Sequence, residues 1–107
     1  MIENKTISSS TWFVYVVRCS DDSLYTGITK DINRRIEEHN TSNKGAKYTR
    51  TRRPVKLEYK EIYVDRSTAS KREYAIKKLT RKQKLNLISW KYTKKVKIQT
   101  YQQVQVL

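Results

Sequence analysis

Cysteine, proline, glycine and histidine are nearly missing from this chain, and each shortage closes off a class of protein. With one cysteine, Cys19, in 107 residues, it can build neither a disulfide framework nor a cysteine-rich zinc site. Cys19 reads as a small residue at a strand end. Two glycines and one proline exclude collagen-like and low-complexity chains, and no Gly-rich phosphate loop or nucleophile elbow occurs. A Ser-His-Asp triad would have only His39 to build on. No apolar run approaches the roughly 20 residues that span a bilayer, and Met1 to Thr11 lacks the apolar stretch of a secretory signal. The expectation is a soluble, cytoplasmic protein with no membrane partner, of a length that suits one domain with one modest core.

Acidic residues are scarce as well, at 10 against 24 basic ones, for a net charge of +14. So small a chain carries that charge against its own repulsion unless a polyanion shares the surface, which points to nucleic acid. The basic residues come in blocks: seven between Lys44 and Lys60, seven between Lys71 and Lys84, and four between Lys91 and Lys97. None of these blocks has the broad apolar face of an interfacial membrane helix.

What is present reads as a short α+β domain. Residues 1–11 are polar and expected to be a flexible segment. "WFVYVVR", the turn residues "DDS" and "LYTGIT" predict a β-hairpin. A turn centred near Asp21 and Asp22 offsets Tyr15 and Tyr25 by a few residues on adjacent strands, and leaves open which face each takes. Asp31 opens a helix with Ile32, Ile36 and His39 on its inner face and Arg35 beside them. "TSNKGAKYTRTRRP" is a basic loop with room for one helical turn around Ala46 to Arg50. The alternation of Val55, Leu57 and Tyr59 predicts a third strand that slips at Ile62. A second long helix from Ser67 carries Ala69, Glu73, Ile76 and Leu79 inward. A third, capped by Thr80, places Leu85, Leu87 and Ile88 inward, with Trp90 closing it. Residues 91–107 read as a basic tail or an edge strand.

Several side chains invite chemistry, each with a plainer alternative. Glu73, on an inward face among Lys71, Arg72, Lys77 and Lys78, needs a cation or hydrogen bonds to stay charged. It reads as half of a buried ion pair, with Arg35 as a candidate partner, or as a metal ligand. The remaining acids are badly spaced for a two-metal site, so phosphodiester cleavage here would use one metal, with waters and phosphate oxygens filling its coordination sphere. His39 is either a satisfied structural histidine or a working one. Gly27 marks a close backbone approach or a bulge. Tyr48 is a stacking or a packing aromatic.

The segments "FVY" (13–15) and "YTG" (25–27) are similar to the two signature tripeptides of the GIY-YIG nuclease superfamily. Arg35 follows ten residues after the second tyrosine, His39 four further on, and "REYAIKKL" around Glu73 resembles the metal-binding glutamate helix of that superfamily. "GAKYTRTRRPV" and "IKKLTRKQKL" look like its small, single-domain bacterial branch. The resemblance spans Trp12 to Ile88 and implies a nuclease domain, placed at residues 12–90, built on a small three-stranded sheet flanked by helices. It also implies roles. Tyr15 and Tyr25 would position and activate the attacking water, and Arg35 would hold the scissile phosphate. His39 would assist in proton transfer or phosphate binding, and Glu73 would bind one Mg²⁺ or Mn²⁺. The cations Lys44, Lys47, Arg50, Arg52, Arg53, Lys77 and Lys78, with Tyr48, would contact nucleic acid, DNA in preference to RNA. There are departures: Phe13 stands where many members have glycine, Ile28 where some repair nucleases have lysine, and no late asparagine is matched. Without an appended sequence-reading domain, low sequence specificity is expected, and room is left for a protein partner that supplies it. The alternative implied by these departures is a catalytically weak nucleic-acid-binding or adaptor protein on the same fold.

Overall fold

The computed structural model describes residues 10–93, with side chains described as far as Ser89. The hairpin forms as its composition dictates: β1 is Trp12–Arg18 and β2 is Leu24–Thr29. At the turn, Asp21 Oδ1 accepts from the Ser23 amide at 3.1 Å, and Asp22 sits at φ 71°, a left-handed conformation that aspartate tolerates better than most residues. The register sets Tyr15 opposite Gly27 and Tyr25 opposite Val17. Both phenols therefore project from one face, as diagonal neighbours across the ladder.

β3, Lys56–Tyr63, adds antiparallel to the other edge of β1, giving the order β2-β1-β3. The alternation read from the sequence breaks here. Val16 pairs with Tyr59 but Val17 pairs with Leu57, so Glu58 is an extra residue in a bulge. Leu57 and Tyr59, expected on one face, consequently pack on opposite sides of the sheet, and Glu61 rather than Ile62 turns inward.

Helix α1, Ile32–Thr41, starts where Asp31 caps it by accepting from the Arg34 amide. It covers the face holding Tyr15, Val17, Ile32 and Val55. The single turn α2, Lys47–Arg50, follows in the basic loop. Helices α3, Arg66–Lys77, and α4, Arg81–Thr93, pack on the opposite face, where Val14, Val16, Tyr59, Ala69, Ile76 and Ile88 form the second cluster. Thr80 and Gln83 make a reciprocal capping box at the start of α4. Burying each large aliphatic side chain in these clusters contributes about 1.5–3 kcal/mol.

Two boundaries move. Thr11, expected in the flexible segment, is buried at the entry to β1, and α4 runs through residues 91–93, expected in the tail. Trp90, expected to close the helix, is passed by α4, which ends at Thr93, and residues 1–9 and the tail or edge strand at 94–107 lie outside the description. No helix among the described residues is long and apolar enough to cross a membrane.

Candidate active site

The close approach that Gly27 permits is to Tyr15. A Cβ built at Gly27 would lie 2.5 Å from the Tyr15 hydroxyl oxygen and 2.7 Å from Cζ. Any other residue at 27 would displace the phenol. Tyr15 thus lies across its strand partner, 1% exposed, with its hydroxyl 2.8 Å from His39 Nε2. His39 is fully buried on the inner face of α1, and its Nδ1 lies 2.8 Å from Thr49 Oγ1 in α2. Tyr25 meets the same imidazole edge-on, at 5.4 Å between ring centres. Two tyrosines and one histidine from three elements therefore share one spot.

Burial decides the protonation of this group. It pushes Tyr15 up to about 12, against the opposing hydrogen bond and charge of Arg35; the charges of Tyr25 and Glu73 add to the rise. Burial, and then the charge of Arg35, pulls His39 down to about 4. At neutral pH the pair is a neutral phenol against a neutral imidazole. Arg35, half-buried beside them, donates from Nη1 to Glu38 Oε1 at 2.8 Å and to the Lys44 carbonyl at 2.9 Å. Those bonds use part of a five-donor fork and leave donors for an anion.

Glu73 is not the buried carboxylate the sequence suggests. Its side chain is 22% exposed and pairs with Lys77 at 3.2 Å, one turn along α3, rather than with Arg35. Ala69 and Ile76 are the inward residues of that helix, and Glu73 flanks their stripe. Lys77 Nζ in turn lies 5.8 Å from the centre of the Tyr25 ring. The fully buried carboxylate is Glu61 on β3. It accepts from Tyr59 at 2.5 Å, from Tyr63 at 2.6 Å and from both forks of Arg72 at 2.8 and 2.9 Å. The slip expected at Ile62 hid this residue, since the alternation through Tyr59 continues to Glu61, and the bulge at Glu58 turns both toward α3.

The cations of the basic loop divide into two sets. Lys44, Lys47 and Arg50 are exposed, as are Lys77 and Lys78 at the end of α3. Arg52 and Arg53 are tied down: Arg52 donates to Asp21 and to the Tyr48 carbonyl, and Arg53 to the carbonyls of His39 and Ser42. Tyr48 stacks on Tyr25 at 5.9 Å with one face and carries the Arg52 guanidinium 4.0 Å from its centre on the ring. The ring packs the loop onto the phenols while remaining 39% exposed.

Thr49 is the neighbour that sequence reading missed. Its one indirect signal was Gly45, where a Cβ would lie 2.8 Å from His39 Cα and from the Glu38 carbonyl, so that the loop closes directly onto α1. Ile28, at the position that is lysine in some repair nucleases, packs with the cluster under α3 and α4, on the face away from the phenols.

A metal would find a sparse donor set. No group of three or more His, Cys, Asp and Glu residues is placed to hold an ion among the described residues. A single carboxylate such as Glu73 suits a hard divalent cation that keeps most of its waters and takes further oxygens from a phosphate, and it suits zinc poorly.

The GIY-YIG catalytic domain family matches residues 11–86. The chain is 58% identical over 87 residues to the UPF0213 protein DP2720 of Desulfotalea psychrophila, covering 81% of this chain and 79% of that one. It is 60% identical over 76 residues to the UPF0213 protein SAV0488 of Staphylococcus aureus, covering 71% and 92%. Among solved structures it resembles the UPF0213 protein BH0048 of Bacillus halodurans, with 38% identity and a TM-score of 0.51 over 86% of this chain and 97% of that one. It also resembles EF2693 of E. faecalis, with 38% identity and a TM-score of 0.52 over 78% and 88%. The span that carries the phenols, the imidazole, Arg35 and Glu73 is the span these proteins share, and the chain belongs to the GIY-YIG catalytic domain family, on its UPF0213 branch.

Proposed function

We propose that the protein is a metal-dependent endonuclease that hydrolyses phosphodiester bonds in DNA, on structured or damaged substrates and with low sequence specificity. The GIY-YIG family assignment supports a nuclease-type activity. The observation that carries the finer reading is the buried contact between Tyr15 and His39 at 2.8 Å, with Arg35 at the same phenol.

The chemistry follows from the two protonation states. A phenol held up at about 12 does not enter as phenolate; it enters as a hydroxyl that donates to His39 Nε2. Tyr15 is 1% exposed in the free protein, so substrate binding must open the phenol to the attacking water. As that water attacks phosphorus, its proton passes to the Tyr15 oxygen while the phenol proton moves to Nε2. The water oxygen bonds to phosphorus, the sugar oxygen leaves, and solvent protonates it. A bound phosphate also puts negative charge beside Arg35. That offsets the pull that keeps His39 near 4, so the imidazole becomes a better acceptor when substrate is present. Arg35 holds the phosphate and the charge growing on it. Glu73 is the residue that would hold one Mg²⁺ or Mn²⁺, which when bound would polarise the phosphate and steady the leaving oxygen. Lys44, Lys47, Arg50, Lys77 and Lys78 contact neighbouring phosphates without reading bases.

A second reading, a nucleic-acid-binding or adaptor protein with feeble catalysis, is favoured by Ile28, whose apolar packing leaves that position without a cation toward the phenols. One experiment separates the two. Labelled duplex, single strand, flap, four-way junction and structured RNA are incubated with wild type or Glu73→Ala in Mg²⁺, Mn²⁺ or EDTA. The nuclease reading expects metal-dependent products from wild type, lost in Glu73→Ala while binding persists. Tight, salt-sensitive binding with no products across the panel would establish the adaptor. Equal nicking by both proteins would expose a contaminant.

A further inference from the structure

We infer that Thr49 is a positioning residue that fixes the His39 tautomer, holding the imidazole proton on Nδ1 so that Nε2 is bare toward Tyr15. The inference rests on the reading of Tyr15 and His39 as the proton-transfer pair.

Every proton here must find an acceptor in a closed space. Tyr15 is 1% exposed, and His39 and Thr49 are fully buried, so water is not a general partner for any of them. A neutral imidazole carries one N–H, on one of two nitrogens. Thr49 has one hydroxyl proton and two acceptors within reach, the Ala46 carbonyl at 3.0 Å and His39 Nδ1 at 2.8 Å. If it donates to Nδ1, the imidazole proton must sit on Nε2 and point at the Tyr15 oxygen. Arg35, whose guanidinium acts on the same phenol, offers it no acceptor, since a guanidinium can only donate. The phenol oxygen would then accept from Nε2–H while its own proton, on a side chain 1% exposed in the free protein, was left as an unsatisfied buried donor. If Thr49 instead donates back to Ala46, every proton has an acceptor. Nδ1–H donates to Thr49 Oγ1, and the phenol donates to Nε2. The second arrangement is the one in which Nε2 can receive the Tyr15 proton.

The placement of Thr49 supports a specific role beyond general packing. The hydroxyl lies within the short turn α2, bonded back to the residue three positions earlier, which limits its rotation. Arg53 fastens the same loop to α1 at the His39 carbonyl itself, and Gly45 admits the loop to van der Waals contact with the His39 backbone. The loop that carries the exposed cations therefore also carries the group that orients the base, and nucleic acid engaging Lys44, Lys47 and Arg50 acts on the segment that sets the tautomer.

His39 is the one histidine in the chain, so protein labelled with ¹⁵N in the histidine ring reports a single imidazole. The experiment records its two nitrogen shifts at pH 7 in wild type, Thr49→Val and Thr49→Ser, beside single-turnover cleavage and DNA affinity. Wild type is expected to show the proton on Nδ1. Thr49→Val, which keeps the shape but removes the hydroxyl, shifts population toward Nε2–H and slows cleavage about 100-fold with affinity unchanged; Thr49→Ser restores both. A wild-type spectrum with the proton on Nε2 would overturn the inference, as would a Thr49→Val protein that keeps the Nδ1–H form. The wild-type spectrum decides even if Thr49→Val fails to fold. Because the tautomer is read without turnover, a protein that cleaves nothing sinks the nuclease reading by a different measurement.

Discussion

Gly27→Ala adds one methyl group, and its expected effect is out of proportion to its size. The new Cβ would lie 2.5 Å from the Tyr15 hydroxyl oxygen, well inside van der Waals contact, and the phenol must rotate or the hairpin must spread. Rotation breaks the bond to His39. Over-packing of this kind costs about 1–3 kcal/mol, and under the proposed mechanism cleavage falls about 100-fold or more. A melting curve and a single-turnover rate check the two parts, and wild-type activity in Gly27→Ala would show that the Tyr15–His39 contact is dispensable. At this scale the sequence was partly legible. The resemblance to the GIY-YIG signature marks Tyr15, Tyr25, Arg35 and His39 as a set, whereas nothing in that signature as matched here marks Thr49. Its importance comes from a hydrogen bond across a loop, and hydrogen bonds between distant segments leave no periodic trace.

Among the elements, β3 holds the clearest divergence between pattern and structure. One extra residue at Glu58 reverses the facing of everything after it, so Glu61 is buried and Arg72 reaches in from α3 to pair with it. The pair is held by four hydrogen bonds in all, two of them from Tyr59 and Tyr63, whose phenols are driven further toward the protonated form, first by burial and then by Glu61. Arg72→Met removes the cation and leaves a buried carboxylate facing two phenols. The expected loss is about 3–5 kcal/mol, read as a shift in denaturant midpoint, with Glu61→Gln in the same background recovering part of it. Recovery would be absent if Arg72 acted only through its aliphatic stem. The helices were more legible than this strand, because Asp31 and Thr80 announce two of their starts, although the helix read from Ser67 begins at Arg66 with Asp65 as its cap and Glu73 lies beside its buried stripe.

For the whole molecule, pH and salt are the informative variables. His39 is held near 4 in the folded chain against an ordinary 6.5, so the unfolded state binds the extra proton between those values. Stability therefore falls as pH drops from about 6.5 toward 4, by up to about 3 kcal/mol for this group. Tyr15, held near 12 against 10, works in the opposite direction: the unfolded chain loses its proton first, and stability falls as pH rises through 10 toward 12. Denaturant midpoints measured across pH should show a plateau between these limits, and His39→Gln should flatten the acid limb between 6.5 and 4. An unchanged limb would mean that His39 is not buried neutral. Salt tests the surface. Replacing exposed Lys44, Lys47 and Arg50 together by alanine should weaken DNA binding alike on all sequences and lower the salt slope by about 3, with folding intact. Arg53→Ala, which frees the loop from α1, should lower the melting temperature as well. The ordered set of tyrosines, arginine, histidine and glutamate was legible only through its resemblance to the GIY-YIG signature; what the amino-acid sequence determined by itself was composition-borne and local: the basic surface, the hairpin and the helix starts. Those follow from side-chain chemistry and from periodicities of two and 3.6, which are written along the chain. Only the tertiary structure decided that Glu61 rather than Glu73 is the buried acid, that Tyr48 stacks on Tyr25, and that Thr49 meets His39. Each depends on one bulge or one loop closure bringing together residues ten or more positions apart, and no local pattern encodes the direction in which a distant segment will present its hydrogen bonds.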